Sequence, residues 1–230
     1  MISALLWHDK SQALAMSRRL IRSMLDEKLI LRRELPGTGV DCFTLSAAGA
    51  RQLNADMGVN AKSGASLPLG NVVHRAASNW YVIQHICLNN RAWTEHEIQT
   101  GRSPIREVDG KVPDFLIELP EHGGVIFGEV ENAWKARQAR ARIKDFCVNH
   151  LPRNTQLSLL APEQYLLRVV ILGTTPSAIN AMVRTLAEAH EAGELTDSQA
   201  GEIDLILLPV DKSFNPGEMV VENLYWQRLA

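Results

Sequence analysis

The chain lacks most of the features that assign a function by composition. It has only 3 cysteines, 6% aromatic residues and a formal net charge of -2 in 230 residues. The cysteines, Cys42, Cys87 and Cys147, are odd in number and lack C-x-x-C spacing, which favours buried, reduced thiols over a disulfide framework. No apolar run approaches the roughly 20 residues of a membrane span, and the N-terminus lacks the pattern of a secretory signal. We therefore expect a cytoplasmic protein with no membrane partner.

Short catalytic motifs are also missing. The sequence contains no G-x-S-x-G element, P-loop or dinucleotide fingerprint. His74, His85 and His96 lack the spacing of metal ligands, so no zinc is expected. What the chain does have is 46% hydrophobic residues, enough to build a core in one large domain or two small ones.

The first 57 residues predict a small module of two helices and a hairpin. Apolar residues recur at a helical period over 11–28. Two strand-like runs follow, 29–35 and 40–45, around a turn of Pro and Gly. Ser46 then stands where the N-cap of another helix is expected.

This order, together with the pattern Thr-Leu-Ser-x-x-Gly-Ala-x-x-Leu over 44–53, resembles the winged helix-turn-helix of bacterial regulators. The resemblance implies that the first helix enters the major groove of DNA while the hairpin touches phosphate. The residues implied in DNA binding are Arg18, Arg19, Arg22, Arg32 and Arg33. A further helix normally comes first in that fold, so part of the domain is short, degenerate or supplied by a partner, and a homodimer is one expectation. The alternative is a module for protein contacts, with the arginines on a solvated face.

Residues 58–71 are rich in Gly, Ser and Pro and predict a linker. From residue 72 to residue 230 the elements predict one larger domain. A helix over 72–90 precedes a short extended segment at 93–98 and a mobile loop at 99–111. Strands follow at 112–119, 125–131, 166–172, 203–208 and 219–226, with helices over 132–147 and 175–190. Meandering strands followed by crossover helices predict an α/β (α+β) domain with a mixed sheet flanked by helices.

The charge of the second domain is uneven. The segment 132–153 has six basic residues against Asp145 alone. Within its helix, an apolar stripe is predicted to face the core, and the basic side chains are predicted to be exposed. These are Lys135, Arg137, Arg140, Arg142 and Lys144. Such a surface would follow a phosphate backbone without reading bases, and a merely solvated face is the alternative.

Acidic residues mark the two strands that precede this helix. Asp114 stands near the start of the first strand, and Glu129 and Glu131 end the second. A hairpin would bring the three carboxylates together at one edge of the sheet. Since side chains alternate along a strand, Glu129 and Glu131 should share a face. Clustered carboxylates are the ligands that bind Mg²⁺ for phosphodiester hydrolysis.

Pro113-Asp114 on one strand and Glu129-x-Glu131 on the next resemble the PD-(D/E)XK nuclease superfamily. With a winged helix in front, the whole chain resembles the replication-relaxation family of plasmids and mobile elements. The resemblance implies Mg²⁺ or Mn²⁺ bound by Asp114 and Glu129, with Glu97 or, as a weaker candidate, Glu95 contributing from the preceding element. Glu131 stands where the superfamily has a lysine, and Lys135 is a candidate to replace that lysine.

Three functions remain open at this point. The first is a metal-dependent DNA endonuclease that uses Asp114, Glu129, Glu131 and Lys135. The second is a noncatalytic DNA-binding regulator, or an accessory factor of replication or transfer. The third is a protein-interaction scaffold, in which Glu129 and Glu131 would pair with basic residues of the succeeding helix.

Overall fold

A computed structural model describes residues 1–35, 38–65, 71–131, 137–153, 158–162 and 164–223. The chain divides into two compact units, Met1–Val72 (unit 1) and Val73–Ala230 (unit 2). The elements of unit 1 are α1 (Ile2–Trp7), α2 (Ala13–Asp26), β1 (Ile30–Glu34), β2 (Asp41–Leu45) and α3 (Ala47–Met57).

The predicted hairpin of unit 1 is present. Strands β1 and β2 pair antiparallel, from Ile30 opposite Leu45 to Glu34 opposite Asp41. Its predicted Pro-Gly tip at 36–37 lies outside the described residues. The six-residue helix α1 occupies the place where the resemblance requires an additional helix. The winged-helix assignment itself stays a prediction.

A serine and a glycine set the start of α3. Ser46 is the N-cap, as predicted: its Oγ accepts a hydrogen bond from the N–H of Gly49 at 2.9 Å and donates one to the carbonyl of Lys28 at 2.6 Å. A Cβ on Gly49 would stand 2.0 Å from the carbonyl oxygen of Leu29. The Ser-x-x-Gly pattern therefore reflects the close contact between the first turn of α3 and the backbone just before β1.

The described part of the predicted linker forms hydrogen bonds with the hairpin and with α3 of unit 1. The N–H of Gly64 donates to the carbonyl of Leu45 at 2.9 Å, and the guanidinium of Arg33 donates to the carbonyl of Gly64 at 2.8 Å. Asn54 of α3 bonds both backbone groups of Ala61. Residues 61–65 are thus anchored to this unit, and residues 66–70 lie outside the described part of the chain.

Unit 2 is built on a mixed, seven-stranded sheet. In spatial order the strands run β3-β4-β5-β7-β8-β9, and β6 also pairs with β7. Pairing is parallel between β5, β7 and β8 and antiparallel elsewhere. The elements in chain order are α4 (Val72–Cys87), β3 (Arg91–Thr94), α5 (Glu95–Gln99), β4 (Phe115–Leu119), β5 (Gly124–Glu131), α6 (Arg137–His150), β6 (Ser158–Ala161), β7 (Gln164–Gly173), α7 (Pro176–Glu191), α8 (Asp197–Gly201), β8 (Ile203–Leu207) and β9 (Val220–Asn223).

Helices cover both faces of this sheet. Side chains of α6 and α7, among them Phe146 and Met182, share one apolar core with Val125 and Phe127 of β5. Side chains of α4 share the core on the other face with the β5 residues that point to that face, such as Val130. The predicted fold class, a mixed α/β protein with helices on the sheet, is confirmed.

Several local predictions were wrong. Residues 93–98 do not form one extended segment, because a capping box between Thr94 and Glu97 starts α5 after β3. The short elements β6 and α8 were not predicted. Of the three cysteines, Cys147 is buried, whereas Cys42 and Cys87 are only half-buried.

The predicted last strand is present as β9, and residues 224–226 lie outside the described chain. Within the described residues, no helix combines the length and apolarity needed to cross a membrane.

Candidate functional site

The β4–β5 hairpin brings Asp114 to Glu129. Phe115 pairs with Gly128, and the N–H of Asp114 donates to the carbonyl of Gly128 at 2.9 Å, so the pairing continues one residue beyond β4. Oδ2 of Asp114 accepts a hydrogen bond from the N–H of Val130 at 2.8 Å. The hairpin therefore places Asp114 beside the backbone of residues 128–130, and the predicted cluster of the Asp114, Glu129 and Glu131 carboxylates stays a prediction.

Helix α4 holds Asp114 from outside the hairpin. Nε2 of His74 lies 3.1 Å from Oδ2 of Asp114, and the side chains are only 15% and 17% exposed. One turn later on the same helix, Ser78 Oγ donates to the carbonyl of Asp114 at 3.0 Å. Both the carboxylate and the backbone of Asp114 are thus engaged by protein groups.

Glu129 is paired with a lysine that the sequence pattern did not indicate. The Nζ of Lys111 lies 3.0 Å from Oε1 of Glu129, and the two side chains are 25% and 6% exposed. Burial and the negative charge of Glu129 raise the pKa of the neighbouring Cys147 to about 12, while Lys111 acts in the opposite direction. The ion pair therefore lies beside the buried face of α6.

A tight turn positions Lys111. Asp109 and Gly110 have φ angles of 50° and 75°, which is the backbone of a type I′ turn. Val108 and Lys111 exchange two backbone hydrogen bonds of 2.9 Å across it, and His150 of α6 pairs with the tip through Asp109 at 3.0 Å. The predicted mobile loop is thus ordered here. An Asp-Gly pair between apolar and extended residues was the signal for this turn.

The remaining predicted ligands differ in their surroundings. Glu97 accepts hydrogen bonds from the N–H and Oγ1 of Thr94, at 2.9 and 2.8 Å, and so caps α5. Glu95 accepts a hydrogen bond from Gln99. Glu131 is 3% exposed, and its carbonyl accepts the N–H of Thr174 at 2.8 Å. Lys135 lies outside the described residues.

The arrangement leaves little room for a divalent cation. Oδ2 of Asp114 accepts a hydrogen bond from the N–H of Val130 and lies 3.1 Å from Nε2 of His74. Oε1 of Glu129 lies 3.0 Å from Nζ of Lys111, and Glu129 as a whole residue is 4% exposed. Among the described side chains, no group of three or more His, Cys, Asp or Glu residues is arranged to hold a metal. The donor set as it stands does not fit Mg²⁺ or Mn²⁺, which require several unblocked oxygens around one point.

Helix α6 is less basic at its surface than the sequence predicts. Ile143, Phe146 and Cys147 face the core as expected, and Arg137 and Arg142 are exposed. Two predictions were wrong, because tertiary contacts cover these side chains. Arg140 is half-buried with its Nε buried, and Lys144 is half-buried and forms salt bridges with Asp145 and Glu194.

The predicted arginines of unit 1 fall into two groups. Arg18, Arg19 and Arg22 are exposed on α2, and no described acidic side chain forms a salt bridge with them. On the hairpin, Arg32 is exposed but pairs with Asp41. Arg33 is half-buried and holds the 61–65 segment, as described above.

The chain was compared with protein-family models, with curated proteins and with solved structures. None of the three comparisons found a match. The resemblance to the PD-(D/E)XK superfamily and to the replication-relaxation family therefore remains a prediction from the sequence.

Proposed function

We propose that this protein is a noncatalytic DNA-binding protein that contacts the phosphate backbone through α2 of unit 1. The observation that supports this most strongly is the exposed arginine set of Arg18, Arg19 and Arg22. Arg18 and Arg22 are four residues apart and so lie on one face of the helix. A cationic helix face of this kind binds polyanions by releasing counterions.

The proposal assigns different weights to the predicted DNA-contacting residues. Since Arg32 and Arg33 make contacts within unit 1, we expect them to add less to DNA affinity than α2 does. In unit 2, Arg137 and Arg142 are the exposed cations of α6 and are the candidates for a further phosphate contact. The resemblance to the replication-relaxation family suggests a cytoplasmic accessory or regulatory role for a plasmid or mobile element.

The salt dependence of duplex binding tests this proposal. Fluorescence anisotropy should give a linear fall of log K with log salt, and Arg22→Ala should reduce the slope by about 0.9, the amount expected for one lost phosphate contact. Arg51→Ala is the matched control, because Arg51 is an exposed arginine on α3 of the same unit. Equal slopes for both variants would contradict contact through α2. Absence of measurable duplex binding even at low salt would favour the protein-interaction scaffold.

Metal-dependent DNA cleavage is the second candidate. It is supported by the juxtaposition of Asp114 and Glu129 at the end of the hairpin, where a cation would neutralise a scissile phosphate and activate water. It is disfavoured because one carboxylate oxygen of Asp114 already lies against His74 and one of Glu129 against Lys111. Incubation of supercoiled and single-stranded DNA with Mn²⁺ decides between the two functions. Cleavage that Asp114→Ala abolishes would establish the nuclease and overturn the noncatalytic proposal.

A further inference from the structure

We infer that the β1–β2 hairpin carries a latent phosphate contact, Arg32, which the carboxylates of Asp41 and Glu34 keep from DNA. The two acids direct the phosphate backbone to α2 and hold the DNA affinity of unit 1 below the value that its arginines would give alone. This inference rests on the proposed function and adds to it a role for two acidic residues of the hairpin.

The three side chains lie on one face of the hairpin. Glu34 and Asp41 stand directly opposite each other in the antiparallel register. Arg32 comes two residues before Glu34 on the same strand, so the alternation of side chains places it on their side. The guanidinium of Arg32 donates a hydrogen bond to Oδ2 of Asp41. This bond, together with the negative charges of Asp41 and Glu34, raises the pKa of Arg32. One arginine therefore faces two carboxylates.

This face repels a phosphate backbone in spite of its arginine. It carries one positive and two negative charges, a net of -1. The side chains of Arg32 and Asp41 are 66% and 30% exposed, so a polyanion that approaches the guanidinium also approaches a carboxylate. A phosphate that took the guanidinium from Asp41 would leave two carboxylates beside it without compensation, and like charges at short range raise the free energy of the complex.

The stability of the hairpin does not explain the pair of acids. Like charges directly opposite each other on neighbouring strands destabilise a sheet, and Glu34 and Asp41 are such a pair. A salt bridge as exposed as that between Arg32 and Asp41 contributes little to stability. Positions that break a local pairing rule without a compensating gain are expected where function constrains the sequence. The two carboxylates therefore act on the binding of polyanions rather than on the fold.

Fluorescence anisotropy of the full chain with a fluorescein-labelled DNA duplex tests the inference. Glu34→Gln/Asp41→Asn releases Arg32 and should steepen the fall of log K with log salt by about 0.9, the value for one added phosphate contact. If that contact contributes nothing at 1 M salt, the affinity should rise roughly 15-fold at 50 mM salt and roughly 4-fold at 200 mM. Addition of Arg32→Ala to this variant should cancel the gain.

The matched control removes one negative charge elsewhere in the same unit. Asp56 is an exposed acid on α3, so Asp56→Asn changes the net charge of unit 1 by the same amount as Asp41→Asn. We expect Asp41→Asn to give part of the gain of the double variant and Asp56→Asn to leave the slope unchanged. If Glu34→Gln/Asp41→Asn does not fold, the single variants at these two positions replace it, and each should show a smaller gain that depends on Arg32.

Two results would overturn the inference. One is an unchanged affinity and slope when the carboxylates are removed; the other is a gain that survives Arg32→Ala, since a general loss of negative charge would then explain it. Arg22→Ala in the same assay judges the proposed function separately. A reduced slope for Arg22→Ala beside unchanged carboxylate variants refutes the latent contact alone, whereas no duplex binding by wild type or any variant refutes both.

Discussion

Gln199 is predicted to be among the most sensitive polar positions of unit 2. The residue is fully buried, and its Nε2 donates to the carbonyls of Val148 and Leu151 at 2.8 and 2.9 Å. Its Oε1 accepts from the N–H of Thr196 at 3.1 Å. One side chain therefore supplies hydrogen-bond partners to backbone groups at the end of α6 and at the start of α8.

Replacement of Gln199 by Ala leaves the buried carbonyl of Leu151 and the partly buried carbonyl of Val148 without this donor. At roughly 1–3 kcal/mol for each of these two groups, the free energy of unfolding should fall by about 2–6 kcal/mol. Gln199→Leu keeps most of the volume and removes the hydrogen bonds, so it should lose nearly as much. Gln138→Ala on the exposed face of α6 is the control and should change stability by less than about 0.5 kcal/mol.

Urea unfolding followed by circular dichroism, with hydrogen exchange of the α6 amides, measures both effects. Values for both Gln199→Ala and Gln199→Leu within about 0.5 kcal/mol of wild type would refute this role of the Gln199 hydrogen bonds. A loss with Ala that Leu fully rescues would show that the cavity dominates and that the hydrogen bonds to α6 contribute little.

Two further predictions concern backbone crowding and pH. Gly49→Ala should destabilise unit 1 by more than about 2 kcal/mol in urea unfolding, because its Cβ would overlap the carbonyl of Leu29; Gly201→Ala, whose Cβ meets nothing within 4 Å, should be nearly neutral. Burial lowers the pKa of His85, so this residue contributes stability that is present above its unfolded pKa of about 6.5 and lost as pH falls through the lower folded value. His85→Gln should reduce that loss when urea midpoints are compared on either side of pH 6.5, and an unchanged pH dependence would count against it.

Elements that depend on neighbours close in the chain were predictable from the sequence. Ser46 was identified as an N-cap because the bond it accepts comes from a residue only three positions away. The apolar run of β7 and the two hairpins were found from strand period and turn residues. The boundary between β3 and α5 was missed because the capping box outweighs the extended preference of the residues around Trp93.

In the candidate site, too, some features were predictable from the sequence and others depend on tertiary packing. The sequence by itself determined that two strand-like runs would pair as a hairpin, and this pairing places Asp114 beside residues 128–130. Only the tertiary structure decided what meets them, because Lys111 and His74 arrive from a turn and a helix whose approach depends on packing across the sheet. Burial then decides the chemistry: the same carboxylates in water would be open to a metal, whereas here the surrounding protein supplies the positive charge.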